Sequence, residues 1–185
     1  NDRTQVGLLT MLSLSGKKDL QKHFQNLNII PVAISYEYDP CALLKTQEYL
    51  NKRADPEFKK SFKQDVEYML LGIKGQKGRV HFHFGEMLND QLEALAEADN
   101  SKKQLELLAE MIDQSIHQNY HLWPVNYIAY DLLHNSNTYN THYTEQELEW
   151  HCRFFEDQIK QLQQDSDDAG YNYLLTMYAN PLINA

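Results

Sequence analysis

Cysteine is scarce. The 185 residues contain only Cys41 and Cys152, far apart and without a CxxC spacing. That excludes a disulfide framework and a zinc ribbon, and it reads as reduced thiols in a cytosolic compartment. Long apolar runs are missing too. The longest, residues 29–34, has the length of a strand, against the roughly 20 residues that a membrane-spanning helix needs. Basic residues are few: 17 Lys and Arg against 26 Asp and Glu give a formal charge of -9. Such a chain repels a phosphate backbone, which excludes general nucleic-acid binding. No basic-then-apolar leader follows Asn1, so no secretory signal is expected, and the start without Met reads as a processed chain or a fragment. The GxSxG, GxxxxGK[ST] and GxGxxG patterns are all absent, which removes the hydrolase, NTPase and dinucleotide-binding readings. There are no repeats and no low-complexity tracts.

What is present is mostly helical. Thr4 can cap an apolar stretch holding Val6, Leu8, Leu9, Met11, Leu12 and Leu14, which Gly16 stops. A short polar helix over 17–26 leads into Ile29-Ile30-Pro31-Val32-Ala33-Ile34-Ser35-Tyr36-Glu37, which reads as a strand buried on both faces, with Pro31 near its start. Asp39-Pro40 and Asp55-Pro56 predict helices beginning at about 40 and 56, the second running to about 73. After Gly72, Gly75 and Gly78, the alternation Arg79-Val80-His81-Phe82-His83-Phe84 predicts a half-buried strand. Helices then follow over 90–97, over 102–117 behind Ser101, from Pro124, and from Thr144, where Thr144 and Glu147 form a capping box. Asp165-Ser166-Asp167-Asp168-Ala169-Gly170 is a loop before a last aromatic helix over 171–178. The fold class is therefore α/β and helix-rich, with strands near 29–37 and 78–85. The length of chain between them suits a crossover connection and hence a parallel pair.

Chemistry-bearing residues are sparse. His81 and His83 share one strand face, and His117 and His121 are four apart, spacings that suit zinc if the pairs meet. The helix has ended by His121, however, so no metal or other cofactor is expected. Glu147 and His151 read as an exposed ion pair, and Cys152 as a small core residue. Cys41, just inside a helix N-terminus, is a weak nucleophile candidate with no general base beside it. No His-x4-Asp dyad is present. His142 and His151 each have a glutamate at that distance, Glu147 and Glu156, on the C-terminal helix or its cap. Of twelve tyrosines, eight cluster: Tyr36 with Tyr38, Tyr120 with Tyr127 and Tyr130 beside Trp123, and Tyr171 with Tyr173 and Tyr178. Core packing is their default role, with lipid-facing or partner-facing surface as the alternative.

The order of these elements resembles a known family. Ile30, Pro31, Val32, Ala33 and Ile34 resemble the apolar, proline-containing strand that is the last conserved block of the glycerol-3-phosphate and 1-acylglycerol-3-phosphate (lysophospholipid) acyltransferases. Lys77-Gly78 through Gly85-Glu86 is similar to the stretch that follows that block. Asn1-Asp2-Arg3-Thr4-Gln5, Ile34-Ser35-Tyr36-Glu37-Tyr38-Asp39-Pro40-Cys41, Asn126-Tyr127-Ile128-Ala129-Tyr130-Asp131-Leu132-Leu133 and Met177-Tyr178-Ala179-Asn180-Pro181-Leu182 are similar to bacterial members of the Bacteroidetes type.

The resemblance implies the C-terminal half of such an enzyme. Residues 1–88 would be the end of its α/β core with a helical insertion at 40–74, and residues 89–185 a helical C-terminal region. It implies fatty acyl transfer from acyl-CoA or acyl carrier protein to glycerol phosphate or a lysophospholipid in phospholipid synthesis. The expected location is cytoplasmic, peripheral on the inner face of the membrane. The family's catalytic His-x4-Asp and phosphate-holding Glu-Gly-x-Arg both precede the part resembled, so no catalytic residue carries over. The strand Ile30 to Ile34, which borders the active site, does. The competing reading is a non-enzymatic, acidic helical module that binds a protein partner. A sheet edge left open and a large exposed apolar face discriminate in favour of the fragment.

Overall fold

The computed structural model describes residues 3–16, 18–162 and 168–184. Asn1 and Asp2, Lys17 at the expected helix start, and Asp165 to Asp167 of the expected loop lie outside them. Ten helices and strands follow in order: α1 (Val6–Leu12), α2 (Leu20–Leu27), β1 (Val32–Tyr36), α3 (Ala42–Ala54), α4 (Phe62–Lys74), β2 (Val80–Phe84), α5 (Ser101–His117), α6 (Pro124–His134), α7 (Glu145–Lys160) and α8 (Asp168–Asn184). Tighter 3-10 segments occupy Ser13–Ser15, Leu88–Glu97 and Asn140–His142. The chain divides into two compact units: residues 3–34 with 82–120, and residues 35–81 with 121–184.

The first unit is closed by leucine. Leu9 of α1, Leu20 and Phe24 of α2, Leu92 and Leu95 of the 3-10 segment, and Leu105 and Leu108 of α5 form its core. Thr4 does not cap α1. Its backbone N–H and hydroxyl both donate to Asp113 on α5, each at 2.7 Å, a tie across the unit that outweighs a local cap. α2 is capped by Asp19, whose carboxylate accepts from the Lys22 N–H, and α5 by Asn100 rather than Ser101.

The second unit is built on α6, which packs along α8. Val125, Ile128 and Ala129 of α6 meet Leu174, Leu175 and Ala179 of α8, with Phe155 of α7 and Ala42 of α3. α8 runs further than the aromatic segment 171–178, from Asp168 through Pro181 to Asn184. The expected capping box of α7 is present, with Thr144 and Glu147 bonding each other's backbone N–H. α4 begins at Phe62, not at 56. Pro56 sits in a turn closed by the Phe58 N–H on the Asp55 carbonyl, and Ser61 with Gln64 forms the capping box that starts the helix.

The strand pair corrects the parallel expectation. Among the described residues the sheet has two strands, β1 and β2, and they are antiparallel. In the first unit Gly85 N–H donates to the Pro31 carbonyl at 2.9 Å. In the second, Glu37 N–H donates to the Arg79 carbonyl at 2.9 Å. The reason lies in the connection. α3 and α4 have 13 residues each, and the end of α4 returns beside the start of α3, where the Cys41 thiol meets the Tyr68 carbonyl. A hairpin of equal helices delivers β2 back to the end that β1 left, so no crossover is made. Nor is β1 buried on both faces. Ala33 and Ser35 are buried while Ile34 and Tyr36 are exposed, an alternation that marks a sheet with one covered face.

Candidate functional site

In the first unit, the strand singled out by the resemblance splits by its two-residue period. Pro31 and Ala33 are buried, Val32 is half-buried, and Ile30 and Ile34 are exposed. The register set by Pro31 and Gly85 puts Ile34 opposite Phe82, and Phe82 and Phe84 are exposed as well. The result is an open apolar sheet face. Beside it, His83, Phe84 and Glu86 with Gln91, Gln114 and Gln118 line a polar cleft of about 610 Å³. Gly85 also lines it, and a Cβ there would be crowded, 2.9 Å from the Ser115 hydroxyl and 3.1 Å from the Pro31 carbonyl.

In the second unit, a polar cluster forms where β1 ends. Glu37 is buried, and its carboxylate accepts three bonds from Arg79: the backbone N–H at 2.9 Å, Nε at 3.1 Å and Nη2 at 2.8 Å. Burial pushes the Glu37 carboxyl up, but the Arg79 bonds and charge outweigh it and hold the group below its ordinary range. Gly78, at φ +63, makes the approach possible, since a Cβ there would meet both the Glu37 carboxylate and the Tyr38 ring at 2.6 Å. The Arg79 guanidinium lies over the Trp123 ring, 4.5 Å from its centroid.

Tyr38 carries the cluster inward. Its hydroxyl is 3.3 Å from Glu37 Oε1 and 3.3 Å from His151 Nε2. His151 Nδ1 lies 2.7 Å from the Glu147 carbonyl, an oxygen that can only accept, so the proton sits on Nδ1 and Nε2 presents a lone pair to Tyr38. His151 is 4% exposed, and burial lowers its pKa in spite of the carbonyl bond. The expected exposed Glu147–His151 ion pair is therefore corrected: the imidazole turns inward and the Glu147 carboxylate turns back to cap Thr144. The phenol carries a single proton, so its O–H serves either the Glu37 carboxylate or the His151 Nε2 lone pair, one at a time. With His151 enclosed, the cluster fixes the end of β1 against α7.

Two further centres hold segments that carry the resemblance. Asn126 accepts from the Trp123 N–H and donates to the Tyr178 carbonyl, and the Tyr178 hydroxyl accepts from the Asp39 N–H. Asp131, buried in α6, accepts from Ser136 and Tyr143 hydroxyls and from the Thr138 and Tyr139 N–H groups. Burial raises its pKa but these four donors prevail, while Tyr143 is pushed up to about 12. Sequence reasoning did not single out Asp131, although one acid inside the apolar run of α6 was the available signal.

The other candidates disperse. Cys41 is buried, and burial followed by the Asp39 charge raises its thiol, the opposite of an activated nucleophile. Cys152 is raised by burial as well. His81 stacks on His121 with ring centroids 4.7 Å apart, whereas His117 packs on Tyr120. No set of three or more His, Cys, Asp or Glu side chains that could hold a metal occurs among the described residues. His142 stacks on Tyr127 at 4.3 Å. No helix among the described residues is long and apolar enough to cross a membrane. No family model, curated protein or solved structure matches the chain.

Proposed function

We propose that this chain is the C-terminal part of a bacterial glycerolipid acyltransferase that takes a fatty acyl group from acyl-CoA or acyl carrier protein and passes it to glycerol phosphate or a lysophospholipid. The observation that carries the reading is the apolar surface of the first unit. Between Thr4 and Gly16 there is no charged residue, and Leu8, Met11, Leu12 and Leu14 are exposed, as are Ile34, Phe82 and Phe84 on the strands. A free-standing soluble domain rarely leaves so much apolar side chain in water. The half of the enzyme bearing His-x4-Asp would cover it, with Ile30 to Ile34 forming a wall of the acceptor site.

The chemistry would then be divided. A histidine outside this chain would take the proton from the acceptor hydroxyl, the oxygen would attack the thioester carbonyl, and the C–S bond would break to expel a thiolate that takes the same proton back from the histidine. This chain's own share is positional: an apolar strand lining the site and a second unit packed around α6 and α8. The place of action is the cytoplasmic face of the membrane, held peripherally.

The test is the gene upstream of the Asn1 codon together with an acyl-transfer assay. An in-frame His-x4-Asp and Glu-Gly-x-Arg, and transfer by the natural-length protein with none by residues 1–185 alone, is the expected result. A start codon at that point, or robust transfer by the 185 residues, would overturn the reading. The competing one, a helical module that docks a separate protein, would then lead.

A further inference from the structure

The helix α4 differs from every other long helix of the second unit in burying none of its residues. Its exposure is organised. Phe62, Val66, Met69, Leu70 and Ile73 recur at helical spacing within an arc of about 100°, and all five are exposed, Phe62 at 84% and Ile73 at 74%. The opposite side fastens the helix to α3. The Tyr68 hydroxyl donates to the Leu44 carbonyl at 2.7 Å, the Cys41 thiol donates to the Tyr68 carbonyl at 3.5 Å, and Gly72 faces the Cys41 sulfur. Rotation is thereby fixed, and the apolar arc is the outward face by construction.

Charge tells what that face meets. Residues 56–77 hold five lysines, Lys59, Lys60, Lys63, Lys74 and Lys77, against Glu57, Asp65 and Glu67, in a chain where acids outnumber bases 26 to 17. Lys63 and Lys74 lie along the Leu70 edge of the apolar arc, in the first and last turns of the helix, and both are exposed. Lys60 is drawn to Glu48 and Asp65, and Lys63 only weakly to Glu67 at 3.9 Å. α1, by contrast, exposes apolar residues with no charge beside them, as a surface destined for another protein core would. The opposite edge carries Asp65, whose charge is met by Lys60, and an apolar arc with lysines along its other edge suits a helix lying in a bilayer interface, its rings and methyls among the acyl chains and its ammonium groups reaching up to anionic headgroups. At 13 residues α4 is about 20 Å long, so it lies in the surface and does not span.

We infer that α4 is an interfacial helix that seats the chain on an anionic phospholipid bilayer, with Phe62, Met69, Leu70 and Ile73 inserted and Lys63 and Lys74 paired with lipid phosphates. The inference rests on the lipid-facing reading above for the choice of a bilayer as occupant, and it names the surface that makes the contact.

Sedimentation of the full 185-residue chain with vesicles tests it, using phosphatidylcholine mixed with phosphatidylglycerol against phosphatidylcholine alone. Binding to the anionic vesicles is expected, about tenfold stronger than to the neutral ones. The double variant Phe62→Asp with Ile73→Asp should lose it, and Lys63→Glu with Lys74→Glu should abolish the preference for anionic lipid. Circular dichroism and an unchanged melting temperature establish that these surface variants fold. Met69→Ser, a milder change, should weaken binding in the same direction. Equal binding by all forms, or no binding by the parent chain, would overturn the inference. So would a parent chain that is dimeric in light scattering and becomes monomeric in the Phe62/Ile73 variant, because the face would then belong to a second copy. None of these readouts involves acyl transfer, so a failure here leaves the enzymatic reading standing, and failure of the acyl-transfer test is read separately from vesicle binding.

Discussion

A carboxylate withdrawn from water survives as an anion only where donors meet it, and Glu37 is met by three from Arg79. Truncating Arg79→Ala keeps the backbone donor but removes the two guanidinium bonds. The expected cost is roughly 1–3 kcal/mol, read as a lower urea midpoint at unchanged slope. Arg79→Lys should recover less than half of it, because an ammonium cannot reproduce the two-pronged contact. A midpoint unchanged in Arg79→Ala would mean that Glu37 finds another partner. Acid should act through two groups of the same cluster. His151 has a folded-state pKa below its ordinary 6.5, so the unfolded chain takes up the proton first. Its contribution is complete above about 6.5 and is lost as pH falls through the folded value. Glu37, lowered from 4.5, contributes above that value and loses it further down. Melting temperature should therefore fall as pH drops below about 6.5, and His151→Gln should flatten part of that slope. His121, also lowered by burial, adds to it with the same sign and leaves a remainder in the variant.

At the scale of elements, local chemistry was legible wherever one side chain decides the matter. Thr144 with Glu147 and Pro124 at the start of α6 were readable, because a cap or a fixed φ needs no knowledge of the rest of the fold. Asp55-Pro56 misled, since the same pair that opens a helix also makes a turn, and the stronger box at Ser61 and Gln64 lay just beyond. Ser61→Ala should accordingly destabilise the chain by about 1 kcal/mol and raise hydrogen exchange in the first turn of α4, whereas Asp55→Ala should leave that exchange unchanged. Strand direction was not legible. Sequence separation alone allows a crossover, and only the matched lengths of α3 and α4 turn the chain back. The inward turn of His151 was hidden for a similar reason: spacing on a helix names a neighbour at Glu147, but the pull of Tyr38, 113 residues away in the chain, appears only in three dimensions. Of the resemblance-derived strand, the sequence located the residues, and the structure added which of them face outward.

For the molecule as a whole, charge is unevenly spent. Acids outnumber bases over the chain, and the lysines around α4 make a local exception. Vesicle binding should consequently weaken as salt rises from dilute to physiological ionic strength, where the screening length shrinks to about 8 Å, while burial of Phe62 and Ile73 retains a salt-resistant remainder. Binding indifferent to salt would place the contact wholly in the apolar arc.

The antiparallel strand pair also bears on how the chain reaches its native state. The partners Pro31 and Gly85, like Glu37 and Arg79, are brought together across the whole α3–α4 excursion, and closing so long a loop of loose chain carries an entropic cost with little immediate return. Once the two helices have formed and the Tyr68 hydroxyl has found the Leu44 carbonyl, that loop is effectively shortened to its two ends. Strand pairing thus belongs late on the folding route, with φ-values near zero at Phe82 and higher ones along α3.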